Sequence, residues 1–433
     1  MGAKLRKPLN YKNFPKVTNL EFQDILLKSG VKENFCIAVS GGPDSLALLF
    51  LSLEYAKSNK LNFSVISINH NLRKSSNDEI LWLAVLLKKL KIKHYILKWN
   101  GVKPNSNIME TARNKRYELL TRKCKQLKIR YLLTAHHLDD QIENFFMRLV
   151  RGSGLKGLSS ISRISKKNNI VLVRPLLDYS KKSLIKILAE KKQKYVDDPS
   201  NINSMFDRVR FRKIISSLIN EGLQKDRLKL LISNLGQVNE AIDYSTKISI
   251  RHCLTQNKYG HTQIMKKHFF TLPKELQFRV LSFLIKINSV SGKSSRRISI
   301  LNLIKKFEND DFKKSTVNNI LFINSKSIIL VVREISRIQK KDIISKPSFI
   351  WDNRYNIEIK CRLKKRLKIG YVGNSAKKTE EFFKYKDIIP YLPGIWLNNK
   401  LIMIPQLRSA KDLKISCKPI KFTNFPDFIN LNP

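Results

Sequence analysis

The chain has 433 residues, 42% of them hydrophobic, and carries 83 Lys+Arg against 34 Asp+Glu for a formal charge of +49. About 150 residues per domain predicts two or three domains; no apolar run approaches the roughly 18 residues of a bilayer span, and the basic N-terminus lacks the apolar stretch of a secretory signal. Cysteines at 36, 124, 253, 361 and 417 are scattered, with no Cys-x-x-Cys pair, which argues against a disulfide scaffold, a structural zinc site and an iron–sulfur cluster and predicts a reducing, cytoplasmic setting.

The first half alternates strands and helices. Apolar runs predict strands at Phe35–Ser40, Phe63–Asn69, His94–Trp99, Tyr131–Ala135 and Ile170–Val173. Helices are predicted between them, at Asp44–Lys57, Ser76–Lys91, Asn107–Lys128, Asp139–Val150 and Ser180–Lys192. That alternation implies an α/β fold with a doubly wound parallel sheet, whose ligands bind beyond the carboxyl ends of the strands. From about 214 the apolar spacing of "FRKIISSLIN", "LKLLISNLGQVNEAIDYSTKI" and "PKELQFRVLSFLIKIN" predicts a small helical domain. Beyond 341, runs such as "YNIEIKCRLK" and "KLIMIP", with "KKTEEFFKY" as a helix, predict a small α+β domain. The expected domains are therefore 1–213, 214–340 and 341–433.

A surface this basic attracts polyphosphate, and nucleic acid is the usual polyanion. The chain is also rich in Lys, Asn and Ile, whose codons are A/T-rich, so drift in base composition supplies part of the excess. Arginines set inside motifs favour the nucleic-acid reading.

Between the first strand and helix stands Ser40-Gly41-Gly42-Pro43-Asp44-Ser45. The glycines let backbone N–H groups approach an anion, Pro43 suits a first helical turn, and the helix start adds its positive end. Ser40 and Ser45 add hydroxyls. The pattern is a phosphate cradle but not a Walker A loop, because no Gly-Lys-Ser/Thr follows. Asp44 makes a poor neighbour for phosphate unless Mg²⁺ lies between them. Gly152-x-Gly154-x-x-Gly157 spells a dinucleotide fingerprint, but it follows a helix rather than a strand and reads as a helix-end loop.

Further along, "AHHLDDQIENF" sets His136 and His137 before Asp139, Asp140 and Glu143. Three carboxylates at helical spacing repel one another, and they suit a cation: Mg²⁺ or a substrate amine. Arg113 and Arg116 share a helical face and could clamp carboxylate or phosphate. His70 and Arg73 follow the second strand. "DDPSNINSMFDRVRFRK" adds Asp197, Asp198, Asn201, Arg208, Arg210 and Arg212.

Ser-Gly-Gly-x-Asp-Ser resembles the signature of N-type ATP pyrophosphatases, the PP-loop superfamily. The ordered set also includes Asn69-His70-x-Leu72-Arg73-x-x-Ser76, Ala112-Arg113-x-x-Arg116-Tyr117, His136-His137-x-Asp139-Asp140-Gln141-x-Glu143, Arg151-Gly152-Ser153-Gly154 and Asp198-Pro199-Ser200-Asn201. Together they resemble the tRNA(Ile)-lysidine synthetase family across residues 34–212. Val209 stands where that family usually has Asn after the arginine. The resemblance implies ATP-dependent ligation of L-lysine to C2 of the wobble cytidine in the CAU anticodon of isoleucine tRNA. The cytidine would be adenylylated on the way, with release of AMP and pyrophosphate. It implies ATP binding by Ser40, Gly41, Gly42, Pro43, Asp44 and Ser45, Mg²⁺ on Asp44 and Asp140, and His136 near the α-phosphate. Glu143 would take the lysine amine, and Arg113, Arg116 and Arg208 the cytidine, phosphate or lysine carboxylate. The two later domains would hold tRNA. Two readings compete: a tRNA cytidine C2 thiolase of the same ATP class, and a non-catalytic basic RNA-binding protein.

Overall fold

The computed structural model describes residues 4–9, 17–69, 76–98, 108–159, 161–197, 207–289, 295–309, 311–335, 341–360, 367–378, 387–407 and 415–420. The chain divides into two compact units, Met1–Asn239 and Glu240–Pro433.

The strands of the first unit are β1 (Lys4–Arg6), β2 (Phe35–Ala38), β3 (Phe63–Asn69), β4 (Lys93–Lys98), β5 (Tyr131–Leu133), β6 (Ile164–Lys167), β7 (Ile170–Val173) and β8 (Tyr195–Asp197). Its helices are α1 (Asn19–Lys28), α2 (Pro43–Ser58), α3 (Ser76–Lys89), α4 (Ile108–Gln126), α5 (Leu138–Val150), α6 (Leu155–Leu158), α7 (Lys181–Glu190) and α8 (Asp207–Asn220). Helix α9 (Lys225–Cys253) runs past Asn239 into the second unit.

Six strands form one sheet in the order β4-β3-β2-β5-β7-β6, and all its pairs are parallel except β6–β7. Alternation along β2 sets the two layers. Phe35, Ile37 and Val39 join the apolar cluster that includes side chains of α1, α2, α3 and α7, whereas Cys36 and Ala38 join the one that includes Tyr117, Leu120 and Cys124 of α4. The central strand is thus buried on both faces, as a parallel sheet between helix layers requires. The doubly wound architecture stands as expected. Strand β6 was not predicted: its "ISKK" has little apolar signal, and it is an edge that turns into β7 through Asn168 and Asn169, both in the left-handed region (φ 51° and 65°). Helices α8 and α9 dock on α5 through Leu138, Ile142, Phe145, Ile215, Leu228 and Ile232.

The second unit continues with β9 (Leu254–Gln256), β10 (Thr262–Met265), α10 (Lys266–Phe269), α11 (Lys274–Asn288), α12 (Arg297–Phe307), β11 (Lys314–Val317), β12 (Ile320–Asn324) and β13 (Ile328–Arg333). These strands make an antiparallel sheet ordered β11-β12-β13-β10-β9, packed on α11 and α12 through Leu281, Leu284, Leu303, Phe322 and Val331. The purely helical reading of 214–340 is therefore corrected to helices plus a five-stranded sheet. The strands run three to six residues, and in windows of 11–18 residues the neighbouring helical period swamps them.

Beyond these lie β14 (Asp342–Ile343), β15 (Ser348–Trp351), β16 (Tyr355–Ile359), β17 (Lys368–Tyr371), β18 (Pro393–Leu397), β19 (Lys400–Met403) and β20 (Ile415–Pro419), in two antiparallel sheets, β14-β17-β18-β19 and β15-β16-β20. The expected β runs hold β16 and β19. Most of the expected helix "KKTEEFFKY" lies outside the described residues. Among the described residues no helix is long and apolar enough to cross a membrane.

Candidate active site

The chain leaves β2, passes Ser40, and turns at Gly41, whose φ of +84° is open to glycine and strained for other residues. A Cβ there would also meet Val196 Cγ2 at 3.2 Å. Gly42 is the N-cap of α2 and supplies no side-chain acceptor, and Pro43 opens the helix. The first-turn N–H groups therefore present the positive end of a sixteen-residue helix at the carboxyl edge of the sheet. Ser45 is buried and braces the turn. Its Oγ accepts from the Ser40 N–H (3.2 Å) and donates to the Gly42 carbonyl (3.0 Å). Ser40 is exposed, with its Oγ 3.3 Å from that of Ser45. Strand β8 supports the loop from outside: the Val196 N–H donates to the Gly41 carbonyl at 2.9 Å. Nothing in the sequence linked Val196 to the loop.

The Asp44 carboxylate, one residue into α2, meets the start of α5. Its Oδ2 lies 3.5 Å from His137 Nε2, and Asp140 Oδ2 lies 3.5 Å from the same nitrogen. His137 is the N-cap of α5; its backbone N–H donates to Asp140 Oδ2 at 3.2 Å. Burial opposes charge on His137, but Asp140, Asp44 and Asp139 outweigh it and push the pKa up to about 9. An imidazolium cannot accept the Asp140 N–H that sits 3.3 Å from Nδ1. The charged ring keeps its carboxylate contacts, and the His137 N–H to Asp140 is the half of the cap that survives. Burial likewise opposes ionisation of Asp44, yet His137, Lys181 and Arg212 hold its carboxyl below the ordinary value. Lys181 Nζ is 3.8 Å from Asp44 Oδ2. Asp44 Oδ1 is buried without a hydrogen-bond partner.

Asp139 is spent on structure. It accepts the Lys181 N–H at 2.7 Å and pairs with Lys225 Nζ, which ties α5 to α7 and α9. Glu143 is almost fully buried and pairs with Arg212. Burial raises its carboxyl pKa, and Arg212 offsets that only in part. Arg208 approaches Asp140 more loosely, Nη1 to Oδ1 at 3.9 Å. His136 stands apart from this knot. Its Nδ1 is 3.1 Å from Thr134 Oγ1. Burial pushes its pKa down to about 3, with Asp140 opposing and Arg174, Arg116 and Arg113 reinforcing, so the ring is neutral. Arg116 is partly buried and Arg113 exposed, and the fields of both reach His136. Arg174, buried at the end of β7, was missed by the sequence reading; one of its nitrogens, Nε, is buried and unpartnered.

Asp44, His136, Asp140, Glu143, Arg116 and Arg208 are thus brought to one end of the sheet, together with His137, Lys181 and Arg212. Arg210 instead pairs with Asp207 on the surface. Asp197 pairs with Arg6 at 2.8 Å. His70, Arg73, Asp198 and Asn201 lie outside the described residues. Gly152 ends α5 in the left-handed region (φ 63°), with the Ser153 and Gly152 N–H groups bonded to the Arg148 and Leu149 carbonyls, so the glycine fingerprint is a helix terminator. Cys36 and Cys124 are free thiols buried in one core cluster, and the neighbouring Cys124 and burial push the Cys36 thiol well above its usual range.

The PP-loop domain family matches residues 16–219. A tRNA(Ile)-lysidine synthase of Wolbachia pipientis wMel is 30% identical over 416 residues, spanning 92% of this chain and 95% of its own. This chain belongs to the tRNA(Ile)-lysidine synthase family. Another lysidine synthase, from Rickettsia felis (strain ATCC VR-1525 / URRWXCal2), is 32% identical over 391 residues, 86% of this chain and 88% of its own. A solved U34-tRNA thiolase from Methanococcus maripaludis overlaps with a TM-score of 0.41 at 16% identity, over 54% of this chain and 87% of its own, a likeness too slight to bear on activity. As a lysidine-synthase family member with a PP-loop domain, the chain is an ATP-using enzyme.

Proposed function

We propose that this chain activates C2 of the wobble cytidine in the CAU anticodon of an isoleucine tRNA with ATP and joins L-lysine to that carbon. The reading is supported above all by one arrangement: an open helix N-terminus after a glycine turn, with the carboxylates of Asp44 and Asp140 gathered round a single imidazole beside it.

The cytidine C2 oxygen is a poor leaving group. Its attack on the α-phosphorus of ATP breaks the bond to the β-phosphate and expels pyrophosphate. The C2 oxygen is then a phosphate ester. A lysine amine adds at C2, AMP leaves with the oxygen, and the amine's proton is lost. Two accessible barriers replace one prohibitive barrier. The backbone of Ser40–Ser45 holds the departing pyrophosphate. Neutral His136 has Nδ1 engaged by Thr134, which leaves Nε2 for a phosphate oxygen. Arg113, Arg116 and Arg208 hold the anionic and cytidine groups, and Glu143 receives the lysine amine.

The residues fit Mg²⁺. Asp44 Oδ1 is buried with no partner, and Mg²⁺ commonly takes one or two carboxylates and completes its shell with phosphates and water. Asp44 and Asp140 would hold it, and when bound it neutralises charge on the separating phosphates. The basic segments 214–340 and 341–433 grip the tRNA backbone, while the unpaired anticodon bases are read directly.

A thiolase of this class would use paired cysteines, and the two that share a core cluster, Cys36 and Cys124, are fully buried. A purely RNA-binding role leaves the costly crowding of Asp44, Asp140 and Glu143 without a purpose. The deciding experiment incubates the protein with tRNA, ATP and radiolabelled lysine, followed by nucleoside analysis. Label in a cytidine-derived nucleoside, with matching AMP and pyrophosphate, is the expected result. Pyrophosphate without label would remove lysine from the scheme, and no tRNA-dependent pyrophosphate would remove the scheme itself.

A further inference from the structure

A loop that cradles an anion must turn its N–H groups inward and its carbonyls away. In the loop after β2 the carbonyls of Val39, Gly41 and Gly42 are each held by a donor. The Gly42 carbonyl takes the Leu46 N–H at 3.1 Å, as the first bond of α2, and the Ser45 hydroxyl at 3.0 Å. The Gly41 carbonyl takes the Val196 N–H of β8. The Val39 carbonyl, the last before the turn, takes the hydroxyl of Ser67 on β3 at 2.7 Å.

Ser67 is 2% exposed and stands 28 residues along the chain from Val39. Its one hydroxyl hydrogen is committed to Val39. The ring nitrogen 2.9 Å from its Oγ, Nε2 of His94 on β4, is therefore the donor of the next bond. Parallel pairing sets His94 opposite Val65, which puts its ring on the same face of the sheet as Ser67. Burial holds the His94 ring below its ordinary pKa, so it is neutral, with its hydrogen on Nε2.

The Val39 carbonyl and the Ser40 N–H belong to one peptide plane and point to opposite sides of it. Ser67 holds the carbonyl side. Ser45 Oγ, 3.2 Å from the Ser40 nitrogen, accepts on the other. Were that plane to turn over, a carbonyl oxygen would replace an N–H on the side of Ser45, with its negative end toward the anion.

We propose that Ser67 is a positioning residue for the phosphate loop, oriented by His94, and that the pair keeps the Val39 carbonyl turned away from the anion. This rests on the reading that the loop binds the phosphates of ATP. Both residues act through the Val39–Ser40 peptide rather than by touching the nucleotide.

The test measures ATP binding and steady-state turnover of the full chain with tRNA and lysine. In Ser67→Ala the carbonyl loses its donor and only a fraction of loops keep the binding arrangement. The apparent Kd and KM for ATP rise by the inverse of that fraction, about tenfold. The KM for lysine and the kcat at saturating ATP stay within about twofold. Ser67→Thr, which keeps the hydroxyl, binds ATP nearly as the wild type does. His94→Leu weakens ATP binding by a smaller factor than Ser67→Ala, and His94→Gln, which keeps a donor there, by less still. The inhibition constant for inorganic pyrophosphate follows the Kd for ATP in each variant. Ser67→Ala with unchanged ATP binding overturns the proposal, as does an equal loss for ATP and lysine. Should Ser67→Ala fail to fold, His94→Leu that binds ATP as tightly as the wild type overturns it instead. Gly41→Ala separates the proposal from the reading beneath it. ATP binding unaffected by Gly41→Ala removes the loop from the phosphate site, and the proposal falls with it. ATP binding weakened by Gly41→Ala but not by Ser67→Ala removes Ser67 alone.

Discussion

Asp44 combines two conditions rarely found in one carboxylate. Its Oδ1 is buried and unpartnered, while Oδ2 faces a histidine at 3.5 Å and a lysine at 3.8 Å. Charge on the residue is therefore maintained while one oxygen has no hydrogen-bond partner. Asp44→Asn keeps the shape and removes the charge, and tRNA-dependent pyrophosphate release is expected to fall by about 10²-fold or more. An unchanged rate would take Asp44 out of the chemistry. Gly41 is a structural counterpart. Its φ of +84° strains any side chain, and a Cβ there would press on Val196 Cγ2 at 3.2 Å. Gly41→Ala should lower unfolding stability by about 1–2 kcal/mol and raise the KM for ATP. Asp44 stood out in the sequence because its place after two glycines is unusual. The roles of His137, Lys181 and Val196 were not, because their partners are 42 or more residues away for Val196 and Lys181, and because adjacent histidines look alike until the backbone points one of them inward.

At the scale of elements, four helices of the first unit end the same way. Lys60, Lys91, Lys128 and Lys192 each stand just past a helix, at φ 52°, 56°, 56° and 50°. Each helix closes with the paired bonds of a Schellman motif, such as Leu61 N–H to the Ala56 carbonyl at 2.9 Å and Ile92 N–H to the Leu87 carbonyl at 3.0 Å. Glycine is the usual residue there, and a lysine in the left-handed region carries strain. The positive charge does complement the helix C-terminus. Glycine at each of the four positions should stabilise the protein by about 0.5–1 kcal/mol, once the extra freedom of glycine in the unfolded chain is discounted. Denaturant midpoints of the single and combined variants measure it. These lysines bear on composition as well: a helix terminator explains a glycine there, so part of the basic excess reflects where lysine is tolerated. Helices α2, α5 and α7 were predictable because a long apolar period is read locally. Strands β6, β9 and β11 were not, because three or four residues with mixed polarity become a strand only when a partner strand supplies the hydrogen bonds.

For the whole molecule, the charge of +49 makes tRNA affinity salt-dependent. With six phosphate contacts, affinity should drop about 10³-fold between 50 and 200 mM salt. A loss of only a few fold would assign most of the excess lysine to drift. Stability should depend on pH through His261, which is fully buried between β9 and β10. Burial first, with Arg354 adding to it, holds its pKa at about 3, against about 6.5 in the unfolded chain. Between these values only the unfolded chain binds the proton, so stability is unaffected above about pH 6.5 and falls as pH drops below it, by about 2 kcal/mol at pH 5. His261→Leu should flatten that part of the profile, and a variant as acid-sensitive as the wild type would exclude His261 as the cause.

The alternation of strand and helix in the first unit, the glycine turn before α2 and the chemical types near it can be read from the chain alone, because each follows from neighbours within a few residues: apolar period, glycine freedom, charge spacing. Which acid is tied into structure and which keeps an unpartnered oxygen emerged only from the packed helices. Asp139 went to Lys181 and Lys225, Glu143 to Arg212, and Asp44 kept an oxygen unpaired. Those outcomes depend on how α2, α5, α7, α8 and α9 come to lie side by side, and on burial, which makes an unpaired charge costly in one place and tolerable in another.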